Sequence, residues 1–520
     1  MLRHAALALL IALSVQPAPP PAFPLEEATV EQLQDWMTSG RYSARQIAEL
    51  YLRRIDEIDR HGPELRSVIE VNPDALAIAD ALDAERRAKG PRGPLHGIPV
   101  LIKDNIDTAD RMLTTAGSLA LEGSRPAADA FVVERLRAAG AVILGKTNLS
   151  EWANFRSTHS TSGWSGRGGQ VKNPYALDRN PCGSSSGTGA AIAANLAAIG
   201  VGTETDGSIV CPSAANGLVG IKPTVGLVSR RGIIPISHTQ DTAGPMTRSV
   251  ADAAALLDAM AGTDPRDPAT KGATGHEVSY AGRLNAGALK DARIGIARKH
   301  YFGYSAAADR LTEEAIAVMK AHGAVIVDPA DIPTAAKMDG CEMDVLLYEF
   351  KADLDAYLAA RPAGTPRSLQ ELIAFDDREK AREMPYFGQE LFVSAQKKAP
   401  LTSPVYRTAL ARCRALARTQ GIDFVLSHYR LDAIVAPTGS PAWTTDLVNG
   451  DHFTGASSTP AAVAGYPSVT VPAGEAFGLP VGISFIGPAW SEGKLIALAY
   501  AYEQAAHHRR PPAFLATAPR

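Results

Sequence analysis

Serines and glycines cluster twice in this chain, with a spacing that suits nucleophilic catalysis. The first cluster reads Gly183-Ser184-Ser185-Ser186-Gly187 and runs directly into an Ala-rich apolar stretch. The second places Ser208 behind Gly207, 24 positions after Ser184. A tract of glycine and serine is most often a linker, but linkers do not alternate with core segments in this way. We therefore predict that both serines lie at turns leading into buried elements, where a hydroxyl can serve as a nucleophile.

A serine nucleophile needs a base, and Lys103 is a candidate for that base. It follows the apolar run 98–102, which reads IPVLI. A lysine at the end of a strand is usually a solvated charge. If Lys103 were buried instead, desolvation would lower its pKa from about 10.4 by several units, so that the neutral amine could accept a proton.

Other interpretations of the first cluster stay open at this stage. The same letters fit G-x-S-x-G, the nucleophile elbow of Ser-His-Asp hydrolases, with Ser185 as the nucleophile. That class needs a downstream acid and a histidine, and candidate histidines include His238, His300, His322, His428 and His452. A phosphate-binding loop is less favoured, because residues 187–192 lack the third glycine of G-x-G-x-x-G.

The elements that must position these residues alternate between helix and strand. A short strand is predicted at 98–102, then a helix at 131–139 that ends at Gly140, then a strand at 141–144. A similar unit recurs where a helix ends at Gly323 and a strand follows at 324–327. This alternation predicts an α/β layered fold rather than a helical bundle or an all-β sandwich.

Composition excludes several classes of protein. The 520 residues carry 52 basic and 55 acidic side chains, for a formal net charge of −3, and no long basic run is present. This balance gives no electrostatic footprint for nucleic acid. Hydrophobic residues make up 46% and charged residues 21%, as in ordinary globular proteins. A large soluble enzyme is the expected class.

The N-terminus predicts export. A short basic start precedes the apolar run 5–15, and the Pro-rich segment 17–24 follows it. This order is typical of a signal peptide, here residues 1–22 with an undefined cleavage site, and the run is too short for a membrane span. We expect a periplasmic or secreted protein with no membrane segment after signal removal. Four cysteines cannot form a disulfide scaffold; in an oxidising compartment one or two bonds can form, but buried free thiols are the default expectation.

In combination, the motifs resemble the amidase signature family. The similarity covers most of the chain after residue 40 and lies in this ordered set of segments: Lys103 with its strand, the Gly/Ser tract at 183–189, TETDGSI at 203–209, GIKPT at 220–224, DTAGPM at 241–246, and the run from 464 to 482. The resemblance implies one amidase domain over residues 25–515, built on a mixed central β-sheet covered by helices on both faces.

The resemblance also implies roles for individual residues. Ser208 would be the nucleophile, Ser184 the bridging serine with a cis peptide link, and Lys103 the base. The oxyanion hole and substrate-binding group would comprise Thr205, Asp206, Gly207 and Ser185. The family uses no metal and no cofactor, and neither H-E-x-x-H nor Cys-x-x-Cys appears in this chain.

Two departures from the commonest family pattern suggest a subgroup. The tract has three serines before Gly187, and Asp206 stands where many members have glycine. With the segments at 146–155 and 240–245, this variant resembles the bacterial peptide amidases. That implies a small amide or peptide-amide substrate, with ammonia released from a C-terminal carboxamide, and disfavours the tRNA-dependent amidotransferase subunits. The rivals are a Ser-His-Asp hydrolase using Ser185 and a non-catalytic exported peptide-binding protein; the sequence does not predict the oligomeric state.

Overall fold

The computed structural model describes residues 23–276 and 279–519. The predicted signal peptide, residues 1–22, therefore lies outside the described part of the chain. Within the described residues, no helix has both the length and the apolar character needed to cross a membrane. The strands there are β1 (Val68–Val71), β2 (Pro99–Lys103), β3 (Val142–Thr147), β4 (Trp164–Ser165), β5 (Gly169–Gln170), β6 (Ile199–Glu204), β7 (Val219–Lys222), β8 (Thr242–Thr247), β9 (Arg293–Ile296), β10 (Val325–Val327), β11 (Ala433–Pro437), β12 (Ser468–Ala476) and β13 (Leu479–Ile486).

Helices precede, connect and follow these strands. In chain order the described α-helices are α1 (Val30–Thr38), α2 (Ala44–Arg54), α3 (Ala75–Lys89), α4 (Phe131–Ala138), α5 (Ser186–Ala193), α6 (Val210–Ala215), α7 (Val250–Met260), α8 (Ala306–Ala321), α9 (Asp339–Ala360), α10 (Leu369–Arg378), α11 (Lys380–Glu383), α12 (Glu390–Gln396), α13 (Pro404–Ala417), α14 (Asp423–Tyr429), α15 (Thr459–Ala464) and α16 (Glu492–Ala506).

Eleven of the described strands form one mixed sheet in the order β1-β3-β2-β6-β8-β7-β12-β13-β11-β9-β10. The strand pairs β2–β3, β2–β6, β9–β10 and β9–β11 are parallel, and the other neighbours are antiparallel. Strands β2, β3, β6 and β8 are buried along their whole length. Because alternate side chains of a strand point to opposite faces, both faces of the sheet are covered there. The predicted α/β fold with a mixed central sheet is confirmed.

The predicted helix–glycine–strand unit is present, with one difference in length. The helix ends at Ala138, Gly140 has the left-handed φ of +81°, and β3 then runs on to Thr147 rather than stopping at residue 144. The polar end of β3 stays in the sheet because its side chains find buried partners. Thr147 Oγ1 lies 2.7 Å from Thr188 Oγ1, and Lys146 Nζ donates to Thr114 Oγ1 at 2.7 Å. Hydropathy alone does not show such partners.

The parallel neighbours β2 and β6 carry the segments that sequence analysis singled out. Their register pairs Ile102 with Val201, so the carboxyl ends of both strands lie at the same edge of the sheet. Lys103 ends β2, and the turn after β6 holds Ser208. The carboxyl ends of parallel strands are the usual place for a site in an α/β sheet.

All four cysteines form disulfides in the structure, so the expectation of buried free thiols is wrong. Cys182 is bonded to Cys211, and Cys341 is bonded to Cys413. The partners are 29 and 72 positions apart in sequence. Spacing does not define such pairs, because only the folded chain brings the sulfur atoms together.

Candidate active site

Lys103 is completely buried at the end of β2. Its Nζ donates to Ser184 Oγ at 2.8 Å and to Thr203 Oγ1 at 2.9 Å, and it lies 3.3 Å from the carbonyl oxygen of Thr203. Burial lowers the pKa of Lys103 to about 7, against the opposing influence of the Asp241 and Glu204 carboxylates. The usual solvated strand-end lysine is therefore excluded, and near neutral pH a large fraction of this amine is unprotonated.

Ser184 lies two positions before α5, in a turn that approaches the surrounding backbone closely. The Gly183–Ser184 peptide bond is cis, as the family resemblance implies. A Cβ atom at Gly183 would lie only 2.2 Å from Ser150 Oγ, so a larger residue does not fit there. The carbonyl oxygen of Ser184 accepts from the Ser150 backbone amide at 3.0 Å. The Ser184 hydroxyl is fully buried and faces Lys103.

Ser208 lies in the turn between β6 and α6, with 8% of its surface exposed. Gly207 adopts a φ of +76°, a conformation that L side chains rarely adopt. The carboxylate of Glu204 fixes the start of α6, because its Oε2 accepts from the backbone amides of Ile209 at 2.7 Å and Val210 at 3.0 Å. The prediction that both serines lie at turns leading into buried helices is confirmed.

The turn around Ser208 leaves backbone donors unused. In the described part of the chain, the amides of Asp206, Gly207 and Ser208 donate to no protein acceptor. Unused amides beside a hydroxyl are what an oxyanion hole requires, since they can stabilise negative charge that develops on a carbonyl oxygen. Asp206 and Gly207 belong to the group predicted for this role, and the amide of Ser208 lies beside them.

Backbone and covalent links hold the two serine turns side by side. The amide of Ser185 donates to the carbonyl oxygen of Ser208 at 3.3 Å, and the Cys182–Cys211 disulfide joins the same two segments. Among the described residues no hydrogen bond joins the hydroxyls of Ser184 and Ser208. In unliganded enzymes, catalytic hydrogen bonds are often long and tighten when substrate binds.

Ser185 does not have the surroundings of a nucleophile. Its hydroxyl is fully buried, donates to the carbonyl oxygen of Thr203 at 3.0 Å and accepts from the Thr203 amide at 3.2 Å. His238 does pair with Asp353 at 2.8 Å, as a Ser-His-Asp triad would need. However, the other ring nitrogen of His238 faces Glu349 Oε1 at 3.5 Å and not Ser185. The Ser185 side chain therefore supports the strand that leads to the site.

Asp206, which was predicted beside the oxyanion hole, belongs to a group of carboxyls. Its Oδ2 accepts from Thr459 Oγ1 at 2.7 Å. Glu342 of α9 lies nearby and accepts from Gln240 Nε2 at 2.8 Å. Burial raises the pKa of both carboxyls, and the charge of Asp206 raises that of Glu342 further.

Asp241 stabilises the turn between β6 and α6 through hydrogen bonds. Its Oδ1 accepts from Thr205 Oγ1 at 2.6 Å, and its Oδ2 accepts from the amides of Ile236 at 2.8 Å and Ser237 at 2.9 Å. Burial raises the pKa of Asp241 to about 6. Its negative charge also opposes the deprotonation of Lys103.

Sequence analysis missed four polar residues at this site. Thr203 and Asp241 stand inside motif segments that were recognised, and Asn105 follows β2 by two positions, so polar residues in and beside those segments were the available signal. Glu342 stands in α9, and no local sequence pattern singles it out. Its position depends on how α9 packs over the turn at Asp206.

Comparison with known proteins identifies the family. Residues 46–496 match the family described as Amidase. The chain belongs to the amidase signature family. It is 44% identical over 507 residues to a probable amidase of Arabidopsis thaliana, a match that covers 95% of this chain and 93% of that protein. This amidase is therefore an enzyme that hydrolyses the C–N bond of amides.

Three solved structures of amidases are similar to this amidase over most of its length. The native peptide amidase of Stenotrophomonas maltophilia is 54% identical, with a TM-score of 0.91, and the match covers 95% of this chain and 99% of that one. The peptide amidase PAM bound to the competitive inhibitor chymostatin is also 54% identical, with a TM-score of 0.92 and coverage of 94% and 100%. An amidase family protein of Bacillus anthracis is 36% identical, with a TM-score of 0.84 and coverage of 93% and 92%.

Proposed function

We propose that this amidase hydrolyses the C-terminal carboxamide of peptides and releases ammonia, through an acyl-enzyme on Ser208. The observation that carries the proposal is the buried amine of Lys103, which lies 2.8 Å from Ser184 Oγ and has a pKa of about 7. An amine that is largely neutral near pH 7 can act as a base without a histidine. The likeness to two peptide amidase structures supports the choice of peptide amides.

The first half-reaction forms the acyl-enzyme. Neutral Lys103 takes the proton of Ser184 as Ser184 takes the proton of Ser208. The Ser208 oxygen then bonds to the carboxamide carbon, and the carbonyl oxygen becomes an oxyanion. The free amides at 206–208 stabilise this charge. When the C–N bond breaks, the proton returns through Ser184 to the leaving nitrogen, which departs as ammonia.

The second half-reaction returns the enzyme to its starting state. Water attacks the Ser208 ester and gives up a proton through Ser184 to Lys103. The C–O bond to Ser208 breaks, Ser208 regains a proton, and the peptide leaves as a carboxylic acid. Every group in the relay is neutral at the start, which suits a site where the burial of charge is costly.

The test is a substrate panel of peptide amides, simple primary amides and esters. We expect ammonia together with a mass change from amide to acid for the peptide amides. No ammonia from any peptide amide would refute the substrate assignment. Ser208→Ala should abolish turnover and labelling by a fluorophosphonate, whereas Ser185→Ala should keep both. Turnover retained by Ser208→Ala would favour another nucleophile, and wild-type protein that neither labels nor turns over would favour a binding protein.

We also propose that the enzyme is exported to the periplasm or secreted. The order of basic, apolar and Pro-rich segments in residues 1–24 supports this, and so do the two disulfides, since such bonds persist in oxidising compartments. N-terminal sequencing of the protein from fractionated cells tests it. A mature chain that starts after residue 22 is expected, and a full-length cytoplasmic chain would contradict export.

A further inference from the structure

A small cavity lies beside Ser184, and Thr203, which also binds Lys103, is part of its lining. Its volume is about 10 Å³, and its walls include Asn105, Ala153, Ser184 and Ile236. About 10–15 Å³ is the space that one water molecule occupies in such a cavity. Ammonia has nearly the same size as water, and a group larger by one methyl does not fit.

One residue that lines the cavity has an unused hydrogen-bond acceptor. Asn105 is 97% buried, and its Nδ2 donates to Thr203 Oγ1 at 3.0 Å. The other end of the same amide, Oδ1, is buried and has no partner within the described residues. A buried acceptor without a donor costs free energy, so a ligand that brings an N–H or O–H group is favoured there.

The direction of proton flow places the leaving nitrogen near this cavity. In the proposed reaction, Ser184 returns the proton to that nitrogen, so the nitrogen must come within hydrogen-bond distance of Ser184 Oγ. The nitrogen of a primary amide carries two hydrogens of its own, which need acceptors once water has been excluded. Ser184 and Asn105, whose Oδ1 is free among the described residues, line the same cavity.

We infer that the cavity beside Ser184 is the leaving-group subsite, which takes the –NH₂ of a primary carboxamide with Asn105 Oδ1 as acceptor and excludes N-alkyl amides by size. The inference rests on the proposed acyl-enzyme reaction and adds the residue that binds the leaving –NH₂ group. Asn105 becomes a specificity-determining residue, and the apolar wall at Ile236 sets the size limit.

The test compares one peptide as its primary amide, its N-methyl amide and its methyl ester. We expect the wild-type kcat/KM to favour the primary amide over the N-methyl amide by about 10- to 200-fold, the range for one methylene-sized misfit. Ile236→Ala enlarges the cavity and should reduce this preference at least tenfold. The control is Ile316→Ala on α8, which is 8% exposed against 6% for Ile236 and does not line the cavity. It should leave the preference unchanged.

A second variant tests the acceptor. Asn105→Ala should lower kcat/KM for the primary amide about three- to tenfold more than for the methyl ester, whose leaving oxygen offers no hydrogen. A general effect on Lys103 would lower kcat/KM for the amide and the ester alike, so the ratio of the two isolates the loss of the acceptor. Equal rates for primary and N-methyl amides in the wild type, or a preference that Ile236→Ala leaves unchanged, would overturn the inference and indicate a cavity that holds only water.

The substrate series separates this inference from the proposed function. If peptide amides release ammonia but N-methyl amides react equally well, only the subsite is refuted. If peptide amides do not react, the same comparison is made with benzamide and N-methylbenzamide. If the enzyme prefers benzamide to N-methylbenzamide and Ile236→Ala weakens that preference, the subsite is supported even though peptide amides are not the substrate.

Discussion

Cys182 and Cys211 form a disulfide that joins the turn of Ser184 to the turn of Ser208. Cys182 stands two positions before one serine, and Cys211 stands three positions after the other. The bond therefore spans the two turns whose relative position determines whether a proton can pass between the hydroxyls. It also limits the disorder of a loop of about 30 residues in the unfolded chain.

Removal of this disulfide should reduce both catalysis and stability. For Cys182→Ser with Cys211→Ser, we expect the free energy of unfolding to fall by about 3–4 kcal/mol and kcat by about 10- to 100-fold, because small displacements of reacting groups are costly. Urea unfolding and steady-state kinetics measure the two effects.

The second disulfide provides the matched control. Cys341→Ser with Cys413→Ser opens a bond between α9 and α13, which carry neither serine. We expect a similar loss of stability but a fall in kcat at least fivefold smaller. Equal falls in kcat for the two double variants would show that the first disulfide has no special role in aligning the serines.

The pH dependence should follow the amine of Lys103. Its pKa is lowered to about 7, and only the neutral form accepts a proton, so kcat/KM should rise with pH through about 7 and then level off. Lys103→Met should lower kcat/KM by about 10²- to 10⁴-fold at all pH values. Lys103→Arg should be as inactive, because guanidinium remains protonated. An unchanged pH profile in either variant would contradict the assignment of Lys103 as base.

Replacement of Asp241 should shift the pH profile of kcat/KM in a defined direction. Its negative charge favours the protonated form of Lys103, so Asp241→Asn should move the rising limb to lower pH, by about 0.5–1 unit. The asparagine keeps one oxygen for the amides of Ile236 and Ser237, and its Nδ2 can face the Thr205 hydroxyl. Asp252→Asn, at a buried carboxyl that caps the start of α1 through Val30, is the control. A shift to higher pH would refute the electrostatic explanation.

Two glycines should respond oppositely to alanine. A Cβ at Gly187 would lie 2.3 Å from the carbonyl oxygen of Asn148 and 2.4 Å from that of Ser67, so Gly187→Ala should destabilise the fold by about 2–3 kcal/mol. Gly340, in α9, has open space at the same atom, and Gly340→Ala should stabilise the fold by about 0.5–1 kcal/mol. Thermal unfolding of both variants is the measurement. A neutral Gly187→Ala would show that the first turn of α5 can relax.

Many features of the fold and the site could be predicted from the sequence, because they depend on residues that are neighbours in the chain. The apolar run at 98–102 predicted β2 to within one residue at each end. The glycine and serine tracts predicted turns before buried helices, which are α5 and α6. The ordered motifs predicted the family and its mixed sheet. Neighbouring residues carry each of these signals, so they can be recognised without knowing what packs against them.

The sequence by itself therefore determined the elements, the family and a short set of candidate residues, while the tertiary structure decided their chemical state. Lys103 becomes a base because strands and turns about 80–100 positions away bury it and hydrogen-bond it. The cysteines pair across 29 and 72 positions, and Glu342 meets Gln240 across 102. Desolvation and hydrogen bonding depend on every atom nearby, whatever its place in the chain, so only the folded structure could determine them.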